Sequence, residues 1–195
     1  MNLILKEGRS IVLVSFIAFV VSYLISDLYF YFFLLFLFFI FIFRNYEREL
    51  EDYSDDIVVS PADMTILDIK ANEDKSNIEL LCKKSVFSIN SLRAILKSSK
   101  LDYKINKGLI YANDENAKYI EFNFNDKVSM ICINGFFTKK VLVIKDNDLL
   151  KGNKFAFFMD GFIKIVLPYN SKILVGLGDK ILANTKIAEI GEYND

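Results

Sequence analysis

Hydrophobic residues divide the chain into two parts with different patterns. From Ser10 to Phe43 the sequence is almost continuously apolar, with Asp27 as its one acidic or basic residue and no glycine or proline. From Ile57 onward, short apolar runs and period-two alternation indicate β-strands. We therefore expect an N-terminal membrane segment followed by a mostly β domain.

The apolar segment has a polar break near its middle. Ile11–Ile25 and Leu28–Phe43 flank Ser26 and Asp27, and each piece would form a helix about 24 Å long, at or below the short limit for crossing a hydrocarbon core of about 30 Å. A single tilted helix would leave Asp27 near the bilayer centre at a high cost. We predict a helical hairpin, which either spans the bilayer tightly or enters and leaves on one side. The length of the apolar run and the lack of a small-residue cleavage site argue against a cleaved signal peptide.

Basic residues flank the apolar segment on both sides, with Lys6 and Arg9 before it and Arg44 and Arg48 after it. A hairpin places both flanks on one side of the membrane, and the positive-inside rule makes that side the cytoplasm. The prediction is therefore an inner-membrane protein with its soluble domain on the cytosolic side. The predicted segments are a cytosolic flank (1–9), the membrane hairpin (10–43), a linker (44–56) and the β domain (57–195).

The β domain is long enough to form a compact core without disulfides. The residues Asn113–Asn116 are of the turn type. The spacing of Leu92, Ile95 and Leu96 predicts one helix over Ser91–Ser99, with a loop containing buried leucines as the alternative. The expected strands are Asp56–Ser60, Met64–Lys70, Asn77–Cys82, Lys104–Ile105, Tyr119–Phe124, Val128–Asn134, Lys140–Ile144, Phe155–Met159, Phe162–Leu167, Lys172–Val175 and Lys186–Glu189.

The C-terminal text VGLGDKILANTKIAEI is similar to hairpins of barrel-sandwich folds. Gly178 suits a tight turn, and the Asp179 side chain can hydrogen-bond the turn backbone. The stretch KFAFFMDGFIKIVLP, Lys154–Pro168, is typical of a buried strand pair leading into a barrel. Together these segments predict a barrel-sandwich-like domain.

Composition excludes several kinds of chemistry. The chain has no histidine, so Ser-His-Asp and Cys-His mechanisms and histidine metal sites are ruled out. Its two cysteines, Cys82 and Cys132, lie in apolar strand-like segments without a CxxC motif, which predicts buried free thiols. A formal net charge of −1 gives no basic field for nucleic acid. We expect no metal and no nucleic-acid partner.

Several segments occur in an order that resembles the phosphatidylserine decarboxylase family, in particular its short membrane-anchored form. FRNYER after the hairpin is similar to the family's FFRDPER, and VSPADM to its SPADG. KGNKF, LP and VGLGDK are similar to KGERFG, LP and VKVGDKV, and ICINGFFTKKVLV has the shape of IAGLIARRIV. These segments are Phe43–Arg48, Val59–Met64, Lys151–Phe155, Leu167–Pro168, Val175–Lys180 and Ile131–Val143.

The resemblance implies a decarboxylase in which a serine of a Gly-Ser pair cleaves its own backbone and becomes a pyruvoyl group, helped by an Asp and a His. Asp63 matches the family's Asp, whereas Asn90 stands at the His position and Gly161–Phe162 (or Asp160–Gly161) at the Gly-Ser pair. Without a hydroxyl or thiol at the cleavage position no pyruvoyl forms, and no imidazole is present to take the proton. We therefore predict no cofactor and an inactive relative. Asp63 either caps the turn after Pro61 or keeps a residual site role.

Phosphate binding would survive the loss of chemistry if the family's basic positions are retained. Arg93 matches the arginine of the family's NRA motif, and Lys139 and Lys140 match its paired basic residues; the alternative for the lysines is an exposed strand end. Three functions are predicted, the first two from the resemblance and the third from the barrel-sandwich-like domain. They are a pseudoenzyme that binds membrane phospholipid or pairs with an active decarboxylase or with itself, an active phosphatidylserine decarboxylase with atypical residues, and a membrane-tethered β-barrel adaptor for protein contacts.

Overall fold

The structure is a computed structural model that describes residues 3–25, 27–51, 54–72, 76–108, 118–124, 128–138 and 140–191. These residues form two compact units, Met1–Glu47 and Arg48–Asp195. The first unit is helical and the second is built from β-strands. The predicted turn at Asn113–Asn116 lies outside the described residues.

The first unit consists of a short 3-10 turn, Lys6–Gly8, and two helices, α1 (Arg9–Ile25) and α2 (Tyr29–Ile42). The helices pack through aromatic rings, since Phe16 and Phe19 of α1 lie 5.4 Å, centroid to centroid, from Phe36 and Phe33 of α2. The backbone N–H of Leu5 donates to the Phe43 carbonyl at 2.9 Å, which joins the start of α1 to the end of α2.

One helical stretch of this unit, Lys6–Ile25, is long and apolar enough to cross a membrane. Tyr29–Ile42 is even more apolar but has only 14 residues, which correspond to about 21 Å. Length and composition alone support this assignment.

The second unit contains short strands, all paired antiparallel. The strands are β1 (Ile57–Val59), β2 (Met64–Ala71), β3 (Asn77–Lys84), β4 (Ser91–Arg93), β5 (Ser98–Lys100), β6 (Asp102–Asn106), β7 (Tyr119–Phe124), β8 (Val128–Asn134), β9 (Leu142–Val143), β10 (Asn147–Leu149), β11 (Lys154–Phe157), β12 (Gly161–Pro168), β13 (Lys172–Ile173), β14 (Lys180–Ile181) and β15 (Lys186–Glu189).

A seven-stranded sheet in the order β14-β2-β3-β12-β8-β7-β6 organises this unit, with smaller sheets β1-β15-β13, β4-β11-β9 and β10-β5. Buried and half-buried residues alternate along β12, so Ile163, Ile165 and Leu167 enter the core together. The described strands form no closed barrel, so the mostly β prediction is confirmed while the barrel-sandwich architecture stays a prediction.

The helix predicted over Ser91–Ser99 is wrong, and its alternative, a loop with buried leucines, is correct only for residues 94–97. Leu92, Ile95 and Leu96 are all buried, but Ser91–Arg93 is a strand paired with β11 and Ser98–Lys100 is a strand paired with β10. Pairing with distant strands overrides the short helical spacing, which local sequence cannot anticipate.

The two strands predicted within Lys154–Pro168 are present, but they do not pair with each other. β11 joins β4 and β9, whereas β12 joins β3 and β8. In the C-terminal segment Gly178 adopts φ +82°, and the Gly176 N–H donates to Asp179 Oδ2 at 2.7 Å. The turn chemistry predicted for these two residues is therefore confirmed.

Candidate functional site

The candidate site lies where β12 begins, between the ends of two neighbouring strands. Gly161 is opposite Lys84, the last residue of β3, and also opposite Asn134, the last residue of β8. Gly161 has φ +138°, and a Cβ placed on it would lie 2.1 Å from the Ile133 carbonyl oxygen and 2.8 Å from the Gly135 nitrogen. Both the backbone conformation and the space therefore restrict position 161 to glycine.

Lys84 is the most unusual residue of this site because it is only 1% exposed. Its Nζ donates to Asn90 Oδ1 at 2.9 Å and to the Met159 carbonyl at 2.9 Å. Two longer contacts of 3.4 Å reach the Ser85 carbonyl and Ser88 Oγ. Buried amines need such acceptors to offset the loss of water, so the protein itself supplies the solvation of this side chain.

Asn90, which the resemblance aligns with the family's histidine, is fully buried. Besides accepting from Lys84, it accepts a hydrogen bond from the Phe158 N–H on its backbone carbonyl at 2.9 Å. The structure thus brings Asn90 next to the residues that precede Gly161. Its side-chain oxygen, however, serves the Lys84 amine.

Asp160, the acid beside Gly161, is engaged by the turn that follows β8. The Phe137 N–H donates to Asp160 Oδ1 at 2.9 Å, and Thr138 Oγ1 lies 3.0 Å from the same oxygen. Thr138 Oγ1 also accepts from the Asp160 N–H at 2.8 Å. All of these contacts join Asp160 to the turn that follows β8, so Asp160 fixes the backbone of that turn.

Asp63 lies just before β2, whose second residue Thr65 is opposite Lys83. Its backbone is therefore at the same end of the sheet as Gly161, but its carboxylate is engaged elsewhere. Oδ1 accepts from the Ala183 N–H at 2.8 Å and Oδ2 pairs with Arg48 at 2.9 Å. These contacts replace the predicted cap of the turn after Pro61.

Phe162, the alternative serine position, is half-buried and lies opposite Lys83 and Ile133. Its ring provides no nucleophile. Neither of the two positions that the resemblance gives for the serine, Gly161 and Phe162, carries a nucleophilic side chain.

The residues predicted to bind a headgroup differ in accessibility. Arg93 is 4% exposed, and its guanidinium donates to the Gly152 carbonyl at 2.9 Å, so it holds the turn before β11. Lys140 is exposed, and Lys139 lies outside the described residues. Of the described members of this set, Lys140 is the one that a phospholipid can reach.

Cys82 and Cys132 lie opposite Ile163 from either side and are both buried. Burial raises the pKa of the Cys82 thiol to about 12. Burial also raises the pKa of the Cys132 thiol, while the nearby charge of Lys84 acts in the opposite direction. Both thiols stay protonated near neutral pH, which makes them unreactive and confirms the prediction of buried free cysteines.

The site contains one residue that the sequence reasoning missed, Lys84. The Lys83-Lys84 doublet resembles an exposed strand end, but Lys84 has the same period-two phase as Leu80 and Cys82. Those two residues are fully buried, so continuing their alternation places Lys84 on the covered face. The period-two phase of Lys84 was the sequence signal from which its burial could have been predicted.

Comparison with known proteins gives one match. A family model described as phosphatidylserine decarboxylase matches residues 35–113. No curated protein and no solved structure matches the chain. The matched region contains Asp63, Asn90 and Arg93, and it supports membership of the family that the ordered segments resemble.

Proposed function

From its membership of the phosphatidylserine decarboxylase family, we propose that this chain is a membrane-anchored member that has lost the pyruvoyl chemistry. The family implies a decarboxylase-like role in phospholipid metabolism. The chain would fulfil that role by binding phospholipid or by tuning an active relative in the membrane where phosphatidylethanolamine is made. The matched region ends before Gly161, so the missing serine rests on the order of the later segments.

The observation that carries this proposal is the enclosed start of β12. A pyruvoyl group needs a serine, but a side chain at position 161 would collide with the Ile133 carbonyl, and Phe162 has no hydroxyl. Asn90 is bound to the Lys84 amine and lacks the proton-accepting nitrogen of histidine. The residues present do not fit the family's cofactor.

Intact-mass analysis of the purified full-length chain tests the loss of chemistry. We expect a single polypeptide of 22.5 kDa and no release of carbon dioxide from phosphatidylserine vesicles, with an active decarboxylase of the family as the positive control. Two fragments, the smaller carrying a pyruvoyl mass at its N-terminus, would overturn the proposal and establish an active enzyme with atypical residues.

The regulatory part of the proposal is tested in membranes that contain an active decarboxylase. Co-purification of the two proteins, together with a changed decarboxylation rate when this chain is omitted, is the expected result. An unchanged rate combined with capture of proteins unrelated to lipid metabolism would favour the membrane-tethered adaptor instead.

We also propose that α1 and α2 lie in the cytoplasmic membrane with both ends on the cytosolic side. The contact between Leu5 and Phe43 supports this arrangement, as does the exposure of large apolar side chains such as Leu24 at 75%. The helices are about 26 Å and 21 Å long against a core of about 30 Å. In the proposed arrangement the turn at Asp27 lies at or just short of the far interface.

An Asp27→Cys variant tests this placement, because both native cysteines are buried. An impermeant maleimide added outside sealed, right-side-out vesicles labels position 27 if the hairpin spans the bilayer. Labelling only after detergent is added indicates a hairpin that stops within it. Labelling from the cytosolic side of intact inverted vesicles would contradict insertion altogether.

Lys139 and Lys140 are proposed to contact anionic headgroups. Purification of the full-length chain in mild detergent, followed by mass spectrometry of retained lipid, measures this contact. We expect Lys139→Ala/Lys140→Ala to retain less anionic lipid than the wild type, whereas Lys172→Ala, at an exposed lysine of β13, should retain the same amount. Equal retention in both variants would exclude these lysines as a headgroup site.

A further inference from the structure

Three exposed phenylalanines lie at the Gly161 end of the seven-stranded sheet. Phe87 belongs to the turn after β3 and is 59% exposed, and Phe136 and Phe137 belong to the turn after β8 and are 66% and 53% exposed. β3 and β8 both end opposite Gly161, and neighbouring strands are about 4.8 Å apart. The two turns therefore project from the sheet about 10 Å apart, on either side of the candidate site.

The turn that carries two of these rings is held firmly. The Gly135 N–H donates to the Asp160 carbonyl at 3.1 Å, and the Phe137 N–H donates to the Asp160 carboxylate at 2.9 Å. The rings of Phe136 and Phe137 contact each other edge to face, with centroids 4.9 Å apart. A fixed turn displays these apolar rings without a further entropic cost of ordering them.

Basic side chains accompany the rings. Lys83 and Lys140 are exposed and Lys118 is half-exposed, and the Lys118 carbonyl accepts from the Asn134 N–H at 3.0 Å, which places it beside the same sheet end. Of the described acids at this end, Asp160 binds the Phe137 N–H, Asp63 pairs with Arg48 and Asp179 accepts from the Gly176 N–H. Exposed aromatic rings bordered by lysines match the interfacial region of a membrane with anionic lipid.

We propose that the phenylalanine rim, defined as Phe87, Phe136 and Phe137, docks the β unit onto a bilayer surface that contains anionic phospholipid. The inference rests on the proposed membrane role of the chain. Charge complementarity selects this occupant over a second copy of the chain, because two copies would bring lysines of like charge together. Docking in this way turns the start of β12 and the enclosed Lys84 toward the headgroups.

The proposal deepens the pseudoenzyme assignment in one respect. In an active relative this site would process a lipid headgroup. In this chain it contributes shape and apolar surface to membrane contact. Phe87 and Phe137 enter the interface, while Lys83 and Lys140 meet the phosphates beside it. Loss of the reactive serine is compatible with this role because no bond is made or broken.

Site-specific fluorescence on the full-length chain tests the rim. The native cysteines are buried, so a single introduced cysteine takes the label. Phe137→Cys reports on the rim, and Tyr169→Cys, at the exposed turn beyond the other end of β12, is the matched control. Leu34→Cys in α2 reports on insertion of the helices.

Each labelled chain is reconstituted in phosphatidylcholine vesicles containing phosphatidylglycerol, with doxyl-labelled lipid or aqueous iodide as quencher. We expect lipid quenching at position 137 to be several-fold stronger than at 169, and iodide quenching to show the opposite order. Omitting phosphatidylglycerol should weaken the quenching at 137 and leave that at 34 unchanged. A second probe, Phe87→Cys, should lose lipid quenching when combined with Phe136→Ser/Phe137→Ser.

The outcomes separate the two proposals. Strong lipid quenching at 34 with equal quenching at 137 and 169 overturns the rim and keeps the membrane anchor. Weak quenching at 34 with strong quenching at 137 overturns the anchor and keeps the rim. Cross-linking between copies through position 137, without lipid quenching, shows that a second copy covers the rim and overturns the proposal.

Discussion

β12 begins and ends in different surroundings. At Gly161 the backbone is packed against Ile133 and Gly135, and a buried lysine lies alongside. At Pro168 the strand runs into an exposed turn, Tyr169–Asn170. The Gly161 end therefore tolerates few residue types, although the groups that would perform chemistry there are absent. Enclosure of a site and catalysis at it are separate demands, and in the proposed inactive chain the first is kept without the second.

Replacing the glycine that starts β12 should produce the largest effect. Gly161→Ala adds a Cβ at 2.1 Å from the Ile133 carbonyl and strains the backbone, so we expect a loss of about 4 kcal/mol in the free energy of unfolding. Urea unfolding of the detergent-solubilised full-length chain, followed by far-ultraviolet circular dichroism, measures it.

Gly178→Ala is the matched control for this glycine. Gly178 also has a positive φ, +82°, but no atom lies within 4 Å of its Cβ position. We expect a loss of only about 1–2 kcal/mol from backbone strain. Equal losses at the two positions would show that the collision with Ile133 is relieved and that the start of β12 is less enclosed than the structure indicates.

Removing the buried cation should have the next largest effect. Lys84→Met leaves Asn90 Oδ1 and the Met159 carbonyl without their 2.9 Å donor, which should cost about 2–4 kcal/mol of unfolding free energy in the same urea experiment. Lys83→Met, at the exposed neighbour, should change it by less than about 0.5 kcal/mol. A Lys84→Met chain as stable as the wild type would mean that the amine is not needed to close the site.

Cys82 and Cys132 are buried thiols in the strands on either side of β12. They should lower the stability of the folded chain at alkaline pH. The pKa of Cys82 is raised from 9.0 to about 12 in the folded chain, so above pH 9 the unfolded chain loses a proton that the folded chain keeps. The free energy of unfolding should therefore decrease between pH 9 and 12, by about 1.4 kcal/mol per pH unit for each such thiol.

Cys82→Ala serves as the test of this pH dependence. Its unfolding free energy should decrease less steeply above pH 9 than that of the wild type, whatever its stability at neutral pH. Identical slopes of unfolding free energy against pH would show that Cys82 ionises in the folded chain. Water would then reach this part of the core more easily than its burial indicates.

The smallest effect is expected on the open face of the same sheet. Lys164 pairs with Glu79 at 2.9 Å, and both side chains are about one third exposed, 33% and 32%. Lys164→Met should cost about 0.5 kcal/mol and less at high salt. A loss of unfolding free energy as large as that of Lys84→Met would show that enclosed and exposed lysines contribute equally. Glu79→Gln removes the other partner of the same ion pair and should cost as little as Lys164→Met.

Period-two alternation predicted several strands with the bounds the structure has. Tyr119–Phe124, Val128–Asn134 and Lys186–Glu189 agree at both ends, because buried residues alternate along each of the first two and turn residues bound them. The short strands β4, β5, β10 and β14 were missed. Two or three residues carry no detectable period, and their pairing depends on partners far along the chain.

The candidate site was predictable in part. Asn90 lies beside the residues that precede Gly161, whereas the contacts of Asp63 with Ala183 and of Arg93 with Gly152 were not predicted. Ala183 and Gly152, which bind them, offer only backbone atoms, and backbone contacts leave no trace in residue type.

The sequence by itself determined the apolar N-terminal segment, the mostly β domain, the absence of histidine and the missing hydroxyl at Gly161 and Phe162. These follow from residue chemistry and local periodicity, which do not depend on the fold. Only the tertiary structure decided what takes the place of the lost groups. Lys84 reaches the carbonyl of Met159, 75 positions away, and the phenylalanine rim forms because β3 and β8 end on either side of Gly161. Contacts of that range arise from sheet order, which local sequence does not encode.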